Sequence, residues 1–141
     1  MRNKIKVEIP AKSENERLAR TICAAFVVEL DPTLEELDEI KTAVSEAVTN
    51  SIIHAYDDDT GIIEIIGEID GDEVTYIIKD TGCGIEDIEM ARQPLYTGKK
   101  GTERSGMGFS IMEAFMDRLE VESSVCKGTT IKMTKRIKTD E

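Results

Sequence analysis

Residues 37–56 read LDEIKTAVSEAVTNSIIHAY and contain neither glycine nor proline. Apolar side chains recur there at intervals of three and four residues, at Leu37, Ile40, Val44, Val48, Ile52 and Ala55. This spacing predicts a helix with one buried face. Glu46, Asn50 and His54 recur every fourth residue and predict a polar row on the same helix. An acid, an amide and an imidazole in one row can hold a metal ion and orient a phosphate, but a solvated helix face has the same pattern.

Length and composition narrow the class of protein. A chain of 141 residues has room for one domain, and its 40% of apolar residues can fill one core. The formal charge of −11, from 18 basic and 29 acidic side chains, argues against binding nucleic acid through phosphate neutralisation. No apolar run approaches the roughly 20 residues of a membrane span, and the N-terminus does not read as a signal peptide. We therefore expect a cytoplasmic protein that binds neither nucleic acid nor membrane.

The three cysteines, Cys23, Cys83 and Cys126, fit no zinc spacing. Cys23 lies among apolar residues and is expected to be a buried small side chain. Neither a disulfide framework nor a catalytic thiol is expected. Whether Cys83 is redox active stays open.

The segment before the long helix predicts one strand and one helix. Residues 4–9 alternate apolar and polar side chains up to Pro10, which predicts a strand at a sheet edge. Ser13 and Glu16 match a capping box for a helix that runs to about residue 30. The residues expected to be buried on that helix are Leu18, Ile22 and Phe26. A second capping box opens the long helix with Thr33 and Glu36.

The second half of the chain predicts four strands, a long loop and a helix. Residues 62–69 and 73–79 flank Asp70-Gly71, a strong hairpin signal, and residues 120–124 and 129–136 flank Lys127-Gly128. A short helix is expected at 86–92, a basic glycine-rich loop at 93–108, and a helix from near Met107 to Leu119. Loops as long as 93–108 are commonly functional lids. This order predicts an α+β fold, a two-layer sandwich in which a mixed, mostly antiparallel sheet is covered on one face by about three helices.

Three glycine-bearing elements lie at the ends of predicted strands and helices. Asp80 ends a predicted strand, and Gly82 and Gly84 would let the backbone turn tightly against a flat ligand, although an ordinary Asx turn has the same residues. Gly106-Met107-Gly108 precedes a helix, where free backbone N–H groups can bind an anion. Gly128-Thr129-Thr130 opens the last strand and is a weaker signal. Each element alone fits a plain loop.

Together these elements resemble one enzyme family. Glu46-x-x-x-Asn50, Asp80-x-Gly82-x-Gly84, Gly106-x-Gly108 and Gly128-Thr129 occur in the order seen in the ATPases shared by gyrase, the Hsp90 chaperone, histidine kinases and the MutL repair protein. Segments 45–56, 91–97 and 103–109 narrow the likeness to the anti-sigma-factor serine kinases, closest to the members that act in sporulation. The likeness covers nearly the whole chain. The chain is too short for gyrase, Hsp90 or MutL chemistry, and it has no second His for a sensor histidine kinase.

The resemblance implies a role for each matching residue. Asn50 would ligate Mg²⁺, Glu46 would act as the general base toward a serine hydroxyl, and Asp80 would bind the exocyclic amine of adenine in ATP or ADP. The other nucleotide-binding residues that it implies are Gly82, Gly84, Thr97, Lys100, Arg104, Gly106, Met107, Gly108 and Thr130. His54 receives no catalytic role.

The resemblance also implies two linked functions. The protein would bind and inhibit an RNA polymerase sigma factor of sporulation, and it would use Mg-ATP to phosphorylate and inactivate an anti-anti-sigma antagonist on serine. A homodimer through the N-terminal strand and helix is expected. The surface that binds the sigma factor is expected on the helix segment from Glu16 to Arg20 and near the loop at 93–108. Two alternatives remain: a kinase of the same fold that serves a stress-response sigma factor, and a sigma-binding module without catalysis. The sequence identifies neither the sigma factor, the target serine nor the nucleotide dependence of partner exchange.

Overall fold

The computed structural model describes residues 2–55, 61–81, 108–124 and 128–138. The strands are β1 (Arg2–Pro10), β2 (Ile62–Asp70), β3 (Glu73–Asp80), β4 (Arg118–Ser124) and β5 (Gly128–Arg136). The helices are α1 (Asn15–Val27), α2 (Leu34–Asn50) and α3 (Gly108–Phe115). A 3₁₀ turn at Val28–Leu30 follows α1, and a π-helical turn at Ser51–Ala55 follows α2. The expected short helix at 86–92 and most of the expected loop at 93–108 lie outside the described residues.

The strands form one five-stranded sheet in the order β1-β2-β3-β5-β4. Every pairing among the described strands is antiparallel. Apolar side chains from α1, α2 and α3 share one buried core with the inward-facing residues of β2, β3 and β5. The predicted two-layer α+β sandwich is therefore confirmed, and β1 is the edge strand that Pro10 predicted.

Helix α2 lies at the centre of the helical layer. Its predicted capping box is present: the Thr33 hydroxyl accepts from the Glu36 N–H at 3.1 Å, and Glu36 Oε1 accepts from the Thr33 N–H at 2.9 Å. The predicted apolar face is also confirmed, because Ile40, Val44 and Val48 are fully buried. The regular helix ends at Asn50, where the π-helical turn begins.

Glu36 also forms a hydrogen bond with the C-terminal end of the described residues. Its Oε2 accepts a hydrogen bond from the Lys138 N–H at 2.8 Å. Burial acts to raise the pKa of the Glu36 carboxyl, but the hydrogen bonds from Thr33 and Lys138 and the charge of Lys135 outweigh it, so the pKa is lowered. Because a lowered pKa favours the folded state only while the carboxylate is ionised, this stabilisation is lost as the pH falls through the lowered pKa.

The capping box predicted for α1 is wrong. The helix begins at Asn15 without a side-chain cap, and the Asn15 amide donates to the Pro10 carbonyl at 2.9 Å. The Glu16 carboxylate does not reach back to Ser13, because it accepts a hydrogen bond from Ser45 on α2 instead. Tertiary contact with α2 therefore replaces the local cap.

The buried face of α1 also differs from the prediction. Phe26 is buried as expected, but Leu18 is 47% exposed and Ile22 is only partly buried. The residues that face the core are Ala19, Cys23, Ala24, Phe26 and Val27. Small side chains let α1 lie close to its neighbours, and this close packing turns the larger Leu18 outward.

Phe26 packs onto a glycine in the sheet. A Cβ atom at Gly67 would lie 2.9 Å from two carbon atoms of the Phe26 ring, which is closer than van der Waals contact allows. The missing side chain on β2 therefore makes room for the aromatic ring of α1.

Cys23 and Tyr76 join α1 to β3 inside the core. The Tyr76 hydroxyl donates to the Cys23 carbonyl at 2.7 Å, and both residues are fully buried. Burial raises the pKa of the Cys23 thiol to about 12. Cys23 is thus the buried small side chain that the sequence predicted.

Helix α3 is shorter than predicted. It ends at Phe115, and Leu119 belongs to β4, which begins at Arg118 rather than at residue 120. Asp117 separates α3 from β4: its N–H donates to the Thr134 carbonyl at 2.8 Å, and its carboxylate accepts from the Arg136 N–H at 2.6 Å.

In the described ranges, no helix combines the length and apolar character needed to cross a membrane.

Lys135 on β5 contacts both α3 and α2. Its Nζ donates to the Phe115 carbonyl at 2.8 Å, at the C-terminus of α3. The same atom lies 3.5 Å from Glu39 Oε1 on α2. Only 10% of the Lys135 side chain is exposed, so losing the ammonium would leave a carbonyl and a carboxylate without this donor.

We expect Lys135→Met to lower the free energy of unfolding by about 2 kcal/mol, because a half-buried ion pair and a helix-end hydrogen bond are both lost. Lys132→Met on the same strand is the matched control. Lys132 pairs with Glu120 at 3.9 Å on the open face of the sheet, so its loss should cost less than about 0.5 kcal/mol. Urea unfolding of both variants tests this, and equal losses would contradict it.

Candidate functional site

The end of α2 meets the end of β3. Asn50 is the last residue of α2 and is 7% exposed, and Ser51, which follows it, is 1% exposed. Asp80 is the last residue of β3 and is 6% exposed. The Ser51 hydroxyl donates to Asp80 Oδ2 at 2.8 Å. Two of the predicted site residues, Asn50 and Asp80, are therefore brought together through a residue that the prediction did not include.

A row of polar side chains crosses three strands beside this contact. Asp80 lies opposite Thr129 on β5, and Thr129 lies opposite Ser123 on β4. The Thr129 N–H donates to Asp80 Oδ1 at 3.3 Å, and the hydroxyl oxygens of Ser123 and Thr129 are 2.8 Å apart. Both oxygens of the Asp80 carboxylate thus accept hydrogen bonds from the protein.

Gly128 allows β5 to begin against β3. Its φ is +92°, and a Cβ atom there would lie 2.0 Å from the Asp80 carbonyl oxygen and 2.7 Å from Thr81 Cα. Both atoms belong to the backbone and cannot turn aside. Only glycine fits at position 128. Gly128 belongs to the weakest of the three glycine elements in the sequence, yet its backbone contact is the tightest among the described glycines.

Glu46 lies one helical turn before Asn50 and is partly buried. Ser45, beside it in the chain, donates from its hydroxyl to Glu16 Oε1 on α1. Glu16 Oε2 lies 4.0 Å from Arg20 Nη2. Of the predicted partner-binding residues, Glu16 therefore contacts the part of α2 that carries the predicted base, and Arg20 contacts Glu16.

Gly108 and Thr130 are the other predicted site residues that the structure describes. Gly108 is buried and begins α3, which packs against α2. Thr130 pairs with Lys79, one position beyond the Asp80–Thr129 pair, so strand alternation places its side chain on the other face. The hydrogen bond to Asp80 is made by Thr129, and a ligand contact of Thr130 stays a prediction. The predicted residues outside the described ranges are Gly82, Gly84, Thr97, Lys100, Arg104, Gly106 and Met107.

Sequence reasoning missed Ser51 and Thr129, although each leaves a signal. Ser51 continues the spacing of Val44 and Val48 and so places a hydroxyl on the buried face of α2. Thr129 has the same strand parity as the buried Ile131. A polar side chain in an apolar row needs a partner: the Ser51 hydroxyl pairs with Asp80, and the Thr129 hydroxyl pairs with Ser123.

The donors at the end of α2 suit Mg²⁺ in an ATP site. Mg²⁺ takes oxygen ligands, retains water, and uses one or two protein ligands together with substrate phosphates. Asn50 supplies an amide oxygen at the site as the predicted metal ligand, and Glu46, one turn away, is the predicted base. One hard protein ligand fits a metal that takes its other ligands from nucleotide phosphates and water.

Comparisons with known proteins identify the family. The sequence profile of the histidine kinase-like ATPase domain matches residues 9–135. An anti-sigma F factor of Clostridium kluyveri is 58% identical over 133 residues, 94% of each chain. Another from Clostridium novyi is 54% identical over 140 residues, 99% of this chain and 98% of that one.

Solved structures show the same fold. A Mycobacterium tuberculosis structure of RsbU and RsbW domains matches with a TM-score of 0.69 at 20% identity, over 96% of this chain and 32% of that chain. The catalytic domain of the histidine kinase ThkA matches with a TM-score of 0.58 at 18% identity, over 94% and 96% of the two chains. By its profile and its close relatives, the chain belongs to the histidine kinase-like ATPase family and groups there with the anti-sigma F factors.

Proposed function

We propose that the protein is an anti-sigma factor that binds and inhibits a sporulation sigma factor, and that it is also a protein serine kinase. As a kinase it would transfer the γ-phosphoryl group of ATP to an anti-anti-sigma antagonist. The observation that carries the proposal is the Ser51–Asp80 hydrogen bond, because it joins the Glu46–Asn50 helix to the acid expected to bind adenine. The relatives named anti-sigma F factor extend over almost the whole chain.

The proposed reaction needs one base and a positioned nucleotide. Glu46 accepts the proton of the antagonist's serine hydroxyl, the serine oxygen forms a bond to the γ-phosphorus, and the bond from that phosphorus to the β–γ bridging oxygen breaks to leave ADP. Asn50 would hold Mg²⁺ at the phosphate end of the nucleotide, and Asp80 would accept a hydrogen bond from the adenine amine. When bound, Mg²⁺ supplies neutralisation of the phosphate charge. We assign contacts with the phosphates to Arg104 and to Gly106, Met107 and Gly108, with Thr97 and Lys100 as weaker candidates.

The sporulation assignment is favoured over the stress-response alternative. The relatives that are 54–58% identical carry the name anti-sigma F factor, whereas the match to the RsbU and RsbW domains has 20% identity and reports on the fold alone. The non-catalytic alternative is disfavoured because Glu46 and Asn50 are both present. The proposed site of action is the cytoplasm, where a sigma factor meets RNA polymerase.

We also propose a homodimer through β1 and α1. β1 is a nine-residue edge strand with one neighbour in the sheet, and an edge strand can pair with another chain. Leu18 and Val28 at the outer side of the α1 segment are 47% and 60% exposed. Burying these side chains against a second copy would remove apolar surface from water.

The proposal is tested with purified protein, γ-labelled ATP, Mg²⁺ and the anti-anti-sigma protein of the same cell. We expect label on a serine of the antagonist and capture of the sporulation sigma factor by the tagged protein. Capture of the sigma factor without transfer of label would favour the binding module. Capture of a stress-response sigma factor would overturn the sporulation assignment.

Asn50→Ala tests the metal-linked nucleotide site. Loss of the amide oxygen should weaken ATP binding in Mg²⁺ by at least about tenfold. Tenfold is the smallest usual loss when a residue that only supports a metal ligand is removed, and a direct ligand should cost at least as much. In EDTA the variant and wild type should bind ATP equally. Calorimetry measures both, with Asn3→Ala on the exposed edge strand as control. Wild-type affinity of Asn50→Ala in Mg²⁺ would remove Asn50 from the site.

A further inference from the structure

The Asp80 carboxylate is held by two donors from different elements. Ser51 Oγ donates to Oδ2 at 2.8 Å from the helical layer, and the Thr129 N–H donates to Oδ1 at 3.3 Å from the neighbouring strand. Ser51 and Asp80 are both buried. Two donors on two oxygens fix the rotation of the carboxylate, which a single contact would leave free to turn about its own axis.

These contacts also define what Asp80 can bind. An ionised carboxylate has acceptors only, so Asp80, which accepts from Ser51 and Thr129, has no hydrogen to offer a ligand. A ligand that presents an N–H group can complete the arrangement. A ligand that presents a carbonyl oxygen at the same point, as guanine or hypoxanthine does, would place two acceptors against each other.

We propose that Ser51 is a positioning residue that fixes Asp80 for purines with a 6-amino group and thereby sets the preference for ATP. The proposal rests on the assignment of Asp80 to adenine under the proposed function. Ser51 is the contact that can be altered, because Thr129 donates from its backbone. It acts through Asp80 and touches no phosphate, so its effect should depend on the amine of the base.

The test compares ATP with purine riboside triphosphate, which lacks the 6-amino group. In wild type, ATP should bind at least about tenfold more tightly, the value of one hydrogen bond to a charged group. Ser51→Ala should weaken ATP binding by about tenfold and leave purine riboside triphosphate within about twofold. Calorimetry in Mg²⁺ gives both affinities. The variant should also bind ATP and inosine triphosphate more nearly equally than wild type does.

Thr134→Val is the matched control. Thr134 is also a buried hydroxyl, and its Oγ1 lies 3.2 Å from Thr75 Oγ1 between the same strands β3 and β5. Removing it should leave both nucleotide affinities unchanged.

Three results would overturn the inference. Equal weakening of both nucleotides by Ser51→Ala would mean that the serine supports the fold alone. If Ser51→Ala left the ATP affinity unchanged while wild type still preferred ATP over purine riboside triphosphate, Thr129 would be sufficient to hold Asp80. If wild type itself did not prefer the amine, the assignment of Asp80 under the proposed function would be wrong as well.

Discussion

Gly128→Ala is expected to lower the free energy of unfolding by about 3 kcal/mol. Two costs add. A side chain at a φ of +92° carries about 1–2 kcal/mol of backbone strain, and overpacking carries a further 1–3 kcal/mol or so. The clash is severe because the new Cβ would lie 2.0 Å from the Asp80 carbonyl oxygen, and neither strand can yield without breaking the pairing that aligns Asp80 with Thr129.

Gly71→Ala separates the two costs. Gly71 also has a positive φ, +65°, but nothing lies within 4 Å of a Cβ placed there. We expect this variant to lose only the stability that the positive φ costs, about 1–2 kcal/mol. Urea unfolding of both variants gives the comparison. Equal losses would show that the approach of β5 to the end of β3 relaxes at little cost, and the tight contact would not be a constraint on the site.

The elements that were predicted well are those with strong local signals. Helix α2 has an unbroken apolar spacing and a capping box at Thr33, and both are present in the structure. The hairpin of β2 and β3 follows from Asp70-Gly71, where Gly71 has the positive φ that such a turn needs. Local chemistry is therefore sufficient to specify these elements.

The errors arose where tertiary contacts override local preference. Glu16 could have capped α1, but Ser45 on another helix takes its carboxylate. Leu18 fits an apolar spacing, but Ala19 and Cys23 face the core because α1 approaches its neighbours closely. Neither outcome can be read from the local sequence, since each depends on the distance between two elements.

The candidate site shows the same division. Glu46, Asn50 and Asp80 belong to sequence patterns and were predicted. Ser51 and Thr129 complete the surroundings of Asp80 and were not, because their partner is distant in the chain. The register of β3 with β5 decides that Thr129, and not Thr130, reaches Asp80.

Glu46→Gln is expected to lower phosphoryl transfer to the antagonist by about 10²–10⁴-fold, the usual contribution of a general base. Glutamine keeps the size and the helix preference of glutamate but cannot take a proton from the serine hydroxyl. ATP binding should persist within about twofold, because Asn50 and Asp80 keep their oxygen atoms and the Ser51–Asp80 contact is unaltered. A turn of helix separates position 46 from Asn50, the proposed metal ligand.

Binding of the sigma factor should persist as well, because the proposed partner residues Glu16 and Arg20 lie on α1. Transfer of label from γ-labelled ATP is measured beside a pull-down of the sigma factor and calorimetry with ATP. Glu35→Gln is the control, since Glu35 is an exposed acid in the first turn of the same helix. Transfer at the wild-type rate would remove Glu46 as the base. Loss of both ATP binding and transfer would mean that Glu46 stabilises the nucleotide site, in the α2 segment where Ser45 donates to Glu16. The separation of base and ligand roles would then be wrong.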